Sequence, residues 1–220
     1  MEAIKCITTR SSVRKFSADP VEEELVREIV GAAQWSPSYK NSQPWEVVAV
    51  SGSRKDELTA MLLDLLDQKA PSAPDMPFPG CWPEPVHSRI KELMAKRSVL
   101  AGIDLNAPES VLRSKKANFR FYGAPCGLFL FQDASLGEWS IFDAGIFAQS
   151  MMLAAHAKGL ATVPQAFLTD YSTEIKKFLG VPQNMRLLLG LSLGYPGGSV
   201  DEQPPRPERA TLDSIFRFIS

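Results

Sequence analysis

Arg10, Ser11, Ser12 and Arg14, packed together in RSSVRKF, are side chains able to grip an oxyanion. Guanidinium forks suit a phosphate or a carbonyl-rich ring edge, and neighbouring hydroxyls and open backbone N–H groups add donors. On spacing alone a solvated basic turn explains the cluster more often. A second stretch, SPSYKNSQPW from Ser36 to Trp45, sets Ser36, Ser38, Asn41, Ser42 and Gln43 between Pro37 and Pro44. The prolines stop helix propagation, so a polar knot stands between two buried elements, where a planar, hydrogen-bonding ligand could be held. Composition by itself favours a Pro-bounded loop that satisfies its own backbone.

Nucleophilic chemistry finds little support. His87 and His156 are far apart with no evident acid partner, and each reads as a satisfied structural histidine. Cys6, Cys81 and Cys126 form no CxxC pair and have no neighbouring histidine, which argues against zinc and for reduced thiols in a cytoplasmic protein. A net charge of −1 and a pI near 6.2 give no pull toward nucleic acid or an anionic membrane. RSKKANFR, from Arg113 to Arg120, is locally basic but fits one wet helix face, with a polyanion site as the minority reading. The N-terminus lacks a signal-peptide pattern, and Ile141 to Ala157, the most apolar segment, is interrupted by Asp143, Gln149 and His156, against a membrane span.

The elements that must position these groups are legible from their periods. Ala3 to Thr9 is a short helix delivering Arg10. Asp19, Pro20 and Glu22 have the pattern of an N-cap, first helical residue and capping box, opening a helix with Leu25, Val26, Ile29, Val30 and Ala33 on one stripe. Strand character follows in Glu46 to Val50, Cys126 to Gln132, Leu160 to Phe167 and Leu187 to Leu193, with Pro164 placing the third at an edge or bulge. Helices are expected over 53–69, 87–101, 109–119, 140–158 and 170–180. The 140–158 helix is apolar nearly all round, and Gly159 sits where a left-handed cap belongs. Ala70 to Val86 carries Pro71, Pro74, Pro77, Pro79, Pro83 and Pro85 around Phe78, Cys81 and Trp82. It reads as an ordered arm, over a substrate or around a partner. One domain spans 1–220, and its tail carries Pro196, Pro204, Pro205 and Pro207 before an apolar ending. Phe119, Phe121 and Tyr122 are equally consistent with a pocket wall and with core packing.

RSSVRKF followed by SPSxxNxQPW, then NFRFYGAP, DAGIFAQSMMLAAHAKGLATVPQ, LLLGLSLGYP and RPERATLD, resembles the FMN-dependent nitroreductase family over nearly the whole chain. The resemblance implies an α+β fold: a three-layer α-β-α sandwich, its sheet mixed but mainly antiparallel, with the C-terminal arm exchanged in a homodimer. It implies FMN as cofactor and NAD(P)H as reductant, with flavin N5 carrying hydride to a nitroaromatic or quinone in a ping-pong reaction. Arg10, Ser12 and Arg14 would hold the flavin, with Ser11 offering backbone only; Arg206 and Arg209 would meet the phosphate. Pro37, Ser38 and Asn41 would come from the opposite subunit, and a backbone N–H at Ala166, beside Pro164 and Gln165, would face N5. Asp143 would lie at the pyrimidine edge, although a carboxylate near a helix start is equally explained by the macrodipole. Tyr39, Phe121 and Tyr122 would contact a small aromatic acceptor. A reductive dehalogenase or ring reductase on the same scaffold is the alternative, and an FMN carrier or a flavin-free interaction protein comes from other classes.

Overall fold

The computed structural model describes residues 2–198 and 206–219, so Pro204 and Pro205 of the Pro-rich tail lie outside the described residues. The chain runs α1 (Ala3–Thr9), α2 (Glu23–Ala33), β1 (Glu46–Ser51), α3 (Gly52–Asp67), α4 (Glu84–Ala101), α5 (Pro108–Phe119), β2 (Cys126–Asp133), α6 (Glu138–Ala157), β3 (Ala161–Gln165), α7 (Ser172–Leu179) and β4 (Met185–Gly194). Strand order is β1-β2-β4-β3, and all three ladders are antiparallel. Among the described residues, the parallel component expected of a mixed sheet is one bridge, Ser12 to Thr162.

Two-residue periodicity builds the layers. Along β2, Phe129 and Phe131 enter one core with Leu58, Leu62, Leu168 and Ile175, while Leu128 and Leu130 enter a second with Ile29, Ala33, Phe147 and Met151. Both faces of the central strands are therefore covered, which explains their unbroken apolar runs. α3 and α7 lie on one side, α2 and α6 on the other.

Two expectations shift. Residues 20–22 are not helical: α2 starts at Glu23 with Glu22 in the cap position and no side-chain capping bond. Asp19 is diverted, its carboxylate accepting from the Ser17 hydroxyl at 2.5 Å and its N–H donating back to Ser17 Oγ. That local ring competes with a helix start. The strand expected to reach Phe167 ends at Gln165, and Ala166–Thr169 forms a 3-10 turn.

The Pro-rich segment is ordered by contacts with α7 and β4. Ala73 N–H donates to Asp170 O at 2.7 Å, and the Asp75 carboxylate takes the Lys176 ammonium at 2.9 Å and Leu187 N–H at 2.8 Å. Farther on, Phe78 meets Phe167 edge-on at 6.3 Å, immediately after Ala166. Cys6, Cys81 and Cys126 are unpaired, and burial pushes the Cys126 thiol up to about 12.

Candidate active site

In the extended segment Arg10–Phe16, Val13 and Phe16 are buried, whereas Ser12 and Arg14 remain partly exposed. Its backbone is laid along the β3 edge through Val13 N–H to Thr162 O, 3.2 Å, and across the end of β4 through Ser17 N–H to Tyr195 O, 2.9 Å. Gly197 N–H closes the clamp on Lys15 O at 2.9 Å. A Cβ at Gly197 would lie 2.5 Å from the Phe16 carbonyl carbon, so the close approach requires glycine.

This clamp and the tail bring Arg10, Ser11, Ser12, Arg14, Arg206 and Arg209 to one cleft of about 60 Å³. Arg97, from α4, also lines it, and among the described residues no carboxylate does. Five guanidinium groups share a space fit for one small anion. Arg10 Nη1 and Arg97 Nε are buried without a hydrogen-bond partner among the described residues. Burial first, then the charges of Arg206 and Arg209, lower the Arg10 pKa; burial and then Arg14 lower that of Arg97. Buried unpaired donors surrounded by like charge are costly. A phosphate-like anion relieves both costs, and the geometry offers it forked donors.

Arg97 escaped the sequence reading. α4 has no buried residue and no strong apolar stripe, so its charges look like those of a solvated helix. The long-range signal is the tail, which lies against α4 with Lys96 on Glu208 at 3.1 Å.

His156 reports on the cleft from the side. Its Nε2 is 2.9 Å from Thr9 Oγ1, and its pKa is lowered by burial and then by Arg10 and Arg206. The folded pKa thus lies below the unfolded 6.5, and the associated stability is present above that pH and lost as pH falls toward the folded value. Inorganic phosphate bound beside Arg10 should neutralise the repelling charges and raise the His156 pKa. Proton NMR titration with and without phosphate reads this directly, and an unmoved imidazole would remove the anion from Arg10.

The Ser36–Trp45 loop forms a separate surface. Lys40, Asn41 and Gln43 have φ of 52°, 57° and 46°, a cluster of left-handed non-glycine residues that costs conformational energy. Asp143 Oδ2 accepts Tyr39 N–H at 3.0 Å, Ser38 Oγ accepts Gln43 N–H at 3.0 Å, and the Ser36 hydroxyl donates to Ser150 Oγ at 2.7 Å. Asp143 therefore ties α6 to the loop. Tyr39 is 57% exposed and stacks on Trp139, itself 69% exposed. Pro37, Ser38, Tyr39 and Asn41 do not line the arginine cleft.

Pro164, on the β3 strand that Ser12 borders, and Ala166, just past the end of that strand, are exposed. Gln165 between them points inward: its amide donates to Asn118 O at 3.0 Å and Asn118 Oδ1 at 3.1 Å and accepts from the Ser192 hydroxyl. Only its backbone is available to a ligand. Phe121 corrects the expectation of a substrate wall. It is fully buried, edge-on to Phe129 at 6.1 Å, while Tyr122 is half-buried and lines an open cavity with Arg14.

The Nitroreductase family model matches residues 7–195. The chain is 33% identical to Nitroreductase NfnB of Mycolicibacterium smegmatis, covering 98% of this chain and 92% of that protein. It is 32% identical to a 4-nitrobenzoate reductase of Pseudomonas putida, covering 97% and 93%. The crystal structure of the FMN-dependent nitroreductase NfnB from Mycobacterium smegmatis in complex with NADPH superposes with a TM-score of 0.91 at 32% identity, over 99% of this chain and 98% of that one. The match begins before the arginine-serine turn and takes in every strand of the sheet: the chain belongs to the nitroreductase family.

Proposed function

We propose that residues 1–220 form one FMN-binding domain, that of an FMN-dependent NAD(P)H nitroreductase. The observation that carries the reading is the cleft that gathers five arginines, two of whose guanidinium nitrogens are buried with no hydrogen-bond partner among the described residues. FMN fits this donor set: its phosphate is a dianion of the required size, and Arg10, Arg206 and Arg209 would grip it with Ser12 and the Ser11 backbone. FMN held there would supply two-electron hydride chemistry between NAD(P)H and a nitroaromatic or quinone.

The chain's own residues would orient and tune that group. Arg14 extends the positive charge away from the phosphate end, where it would stabilise negative charge on a ring edge. The exposed Pro164–Ala166 edge borders the same strand and would present backbone to the ring. Ser38 and Asn41, absent from the cleft, would reach it from a second copy, with Tyr39 facing the acceptor.

A homodimer is supported by apolar surface that one chain leaves uncovered. Trp139 and Phe142 of α6 are 69% and 61% exposed, and the tail exposes Ile215, Phe216, Phe218 and Ile219. An exchanged C-terminal arm would bury the latter. Among described residues no helix is long and apolar enough to cross a membrane, and a cytoplasmic setting suits the unpaired thiols. The names of the two relatives at 33% and 32% identity do not favour the dehalogenase alternative.

The test is a visible spectrum of protein loaded with FMN and freed of excess, before and after NADPH or NADH under nitrogen. Retained flavin peaks that bleach, then return with a nitroaromatic, are expected. Retained flavin that neither nucleotide bleaches would make the protein a carrier, and no retained flavin would end the FMN reading. Sedimentation at nanomolar concentration should give a dimer; a monomer holding FMN tightly would contradict the shared site.

A further inference from the structure

Ala166 opens the 3-10 turn that would present backbone to the flavin, and α5 grips the chain on both sides of it. Before the turn, the buried Gln165 amide donates to Asn118 O at 3.0 Å and to Asn118 Oδ1 at 3.1 Å. At its far end, the Lys115 ammonium donates to Asp170 Oδ2 at 2.7 Å. Lys115 and Asn118 are three residues apart on α5, so one helix face supplies both grips. The turn between them is braced internally as well. Thr169 Oγ1 donates to Ala166 O at 2.8 Å, and Asp170 N–H donates to Phe167 O at 3.2 Å. Leu168 is fully buried, and a Cβ on Gly190 of β4 would lie 2.5 Å from Leu168 Cβ.

Stability gives little reason for the Lys115–Asp170 pair. Asp170 is 1% exposed, and its Oδ1 has no hydrogen-bond partner among the described residues. The desolvation cost of a buried ion pair can equal what the attraction returns, and apolar residues of similar size are often as stable. What the pair supplies and apolar contact does not is direction. The same ammonium lies 5.2 Å from the centroid of the Phe167 ring, next to Ala166, so Lys115 fixes the turn at two points. We propose that Lys115 and Asp170 are positioning residues for the reaction. From outside the arginine cleft, they hold the Ala166 backbone in the orientation that hydride transfer at the flavin requires. The inference rests on the flavoenzyme reading, which gives the turn a ring to face.

The double variant Lys115→Met, Asp170→Asn tests it, because it removes both charges at nearly constant volume. No charge is left buried alone, so the chain should fold, which calorimetry checks. In the apoprotein, hydrogen exchange at the amides of the turn, Asp170 N–H among them, should quicken about tenfold or more, with sheet amides unchanged. FMN affinity should stay within about twofold of native, since the phosphate contacts lie elsewhere. Stopped-flow bleaching of the bound flavin by NADPH should nevertheless slow by about ten- to a hundredfold, the scale of a displaced reacting group. Lys115→Arg, whose fork can also reach Asp170 Oδ1, should keep native exchange and native bleaching. A double variant with a lower Tm but native exchange and bleaching would make the pair structural only and overturn the proposal. So would faster exchange with unchanged bleaching, or a loss in Lys115→Arg as large as in the double variant. Native flavin that neither NADPH nor NADH bleaches would instead remove the flavoenzyme reading, and the positioning role with it, even where exchange shows the turn loosened.

Discussion

Arg10→Gln should weaken FMN binding by roughly 10- to 150-fold while leaving the apoprotein at least as heat-stable as the native chain. The first effect follows from losing a hydrogen bond between charged groups, worth about 1.5–3 kcal/mol, at about 1.4 kcal/mol per factor of ten. The second follows from the apo geometry. Arg10 Nη1 is buried with no partner among the described residues, and Arg206 and Arg209 repel the guanidinium. Glutamine removes the charge and its repulsion, so the folded apoprotein loses nothing electrostatic. Flavin fluorescence titration and calorimetry measure the two arms.

The opposed directions separate ligand binding from structural support. A structural arginine, on removal, lowers apo stability and leaves the ligand alone. A ligand-binding one behaves in the reverse sense, because the strain of an assembled cationic cleft is relieved only by the anion. Phosphate supplies a further check: the native apoprotein should gain thermal stability with increasing phosphate, through preferential binding to the folded state, and Arg10→Gln should gain much less. A variant that loses apo stability but keeps its FMN affinity would sink the assignment.

Much of the fold was legible because burial on both faces leaves an unambiguous pattern. The run Cys126–Gln132 could only be a covered strand, and α6 could only be central. Arg10–Phe16 was legible as a motif, although its geometry was not: Val13 and Phe16 anchor it at positions set by β3 and Tyr195, far away in sequence. The start of α2 misled because Asp19 had a closer partner in Ser17 than the helix N–H groups. Arg97 was invisible for a different reason. A helix without a buried stripe gives no local clue to its inward residue, and only tertiary packing brings it to Arg14. Gln165 and Phe121 share one lesson. Both lie in motifs that carry the family resemblance, and both turn inward to Ser192, through the Gln165 side chain and the Phe121 carbonyl.

Phe121→Ala is the change expected to cost most stability, about 3–5 kcal/mol as for other buried aromatic truncations. At this chain length each kcal/mol lowers Tm by about 2–4 °C, so calorimetry should show a fall of roughly 6–20 °C. The ring has no exposure, and it lies so close over β2 that a Cβ on Gly127 would be 2.4 Å from Phe121 Cε1. Glycine at 127 is thus the complement of phenylalanine at 121. Gly127→Ala alone should destabilise by overpacking, about 1–3 kcal/mol, yet in the Phe121→Ala background the added methyl enters space the ring has vacated and should recover part of the loss. That reversal of sign is specific to core packing. Were the ring a substrate wall, Phe121→Ala would raise the KM of the acceptor with little change in Tm, and Gly127→Ala would be equally harmful in both backgrounds. Tyr122→Phe provides the contrast on the neighbouring, half-buried residue: losing the hydrogen bond from Asn118 should cost only about 0.5–1.5 kcal/mol. Two adjacent aromatics with left-handed backbone therefore divide the work, Phe121 filling the core beneath the sheet and Tyr122 facing the cavity beside Arg14.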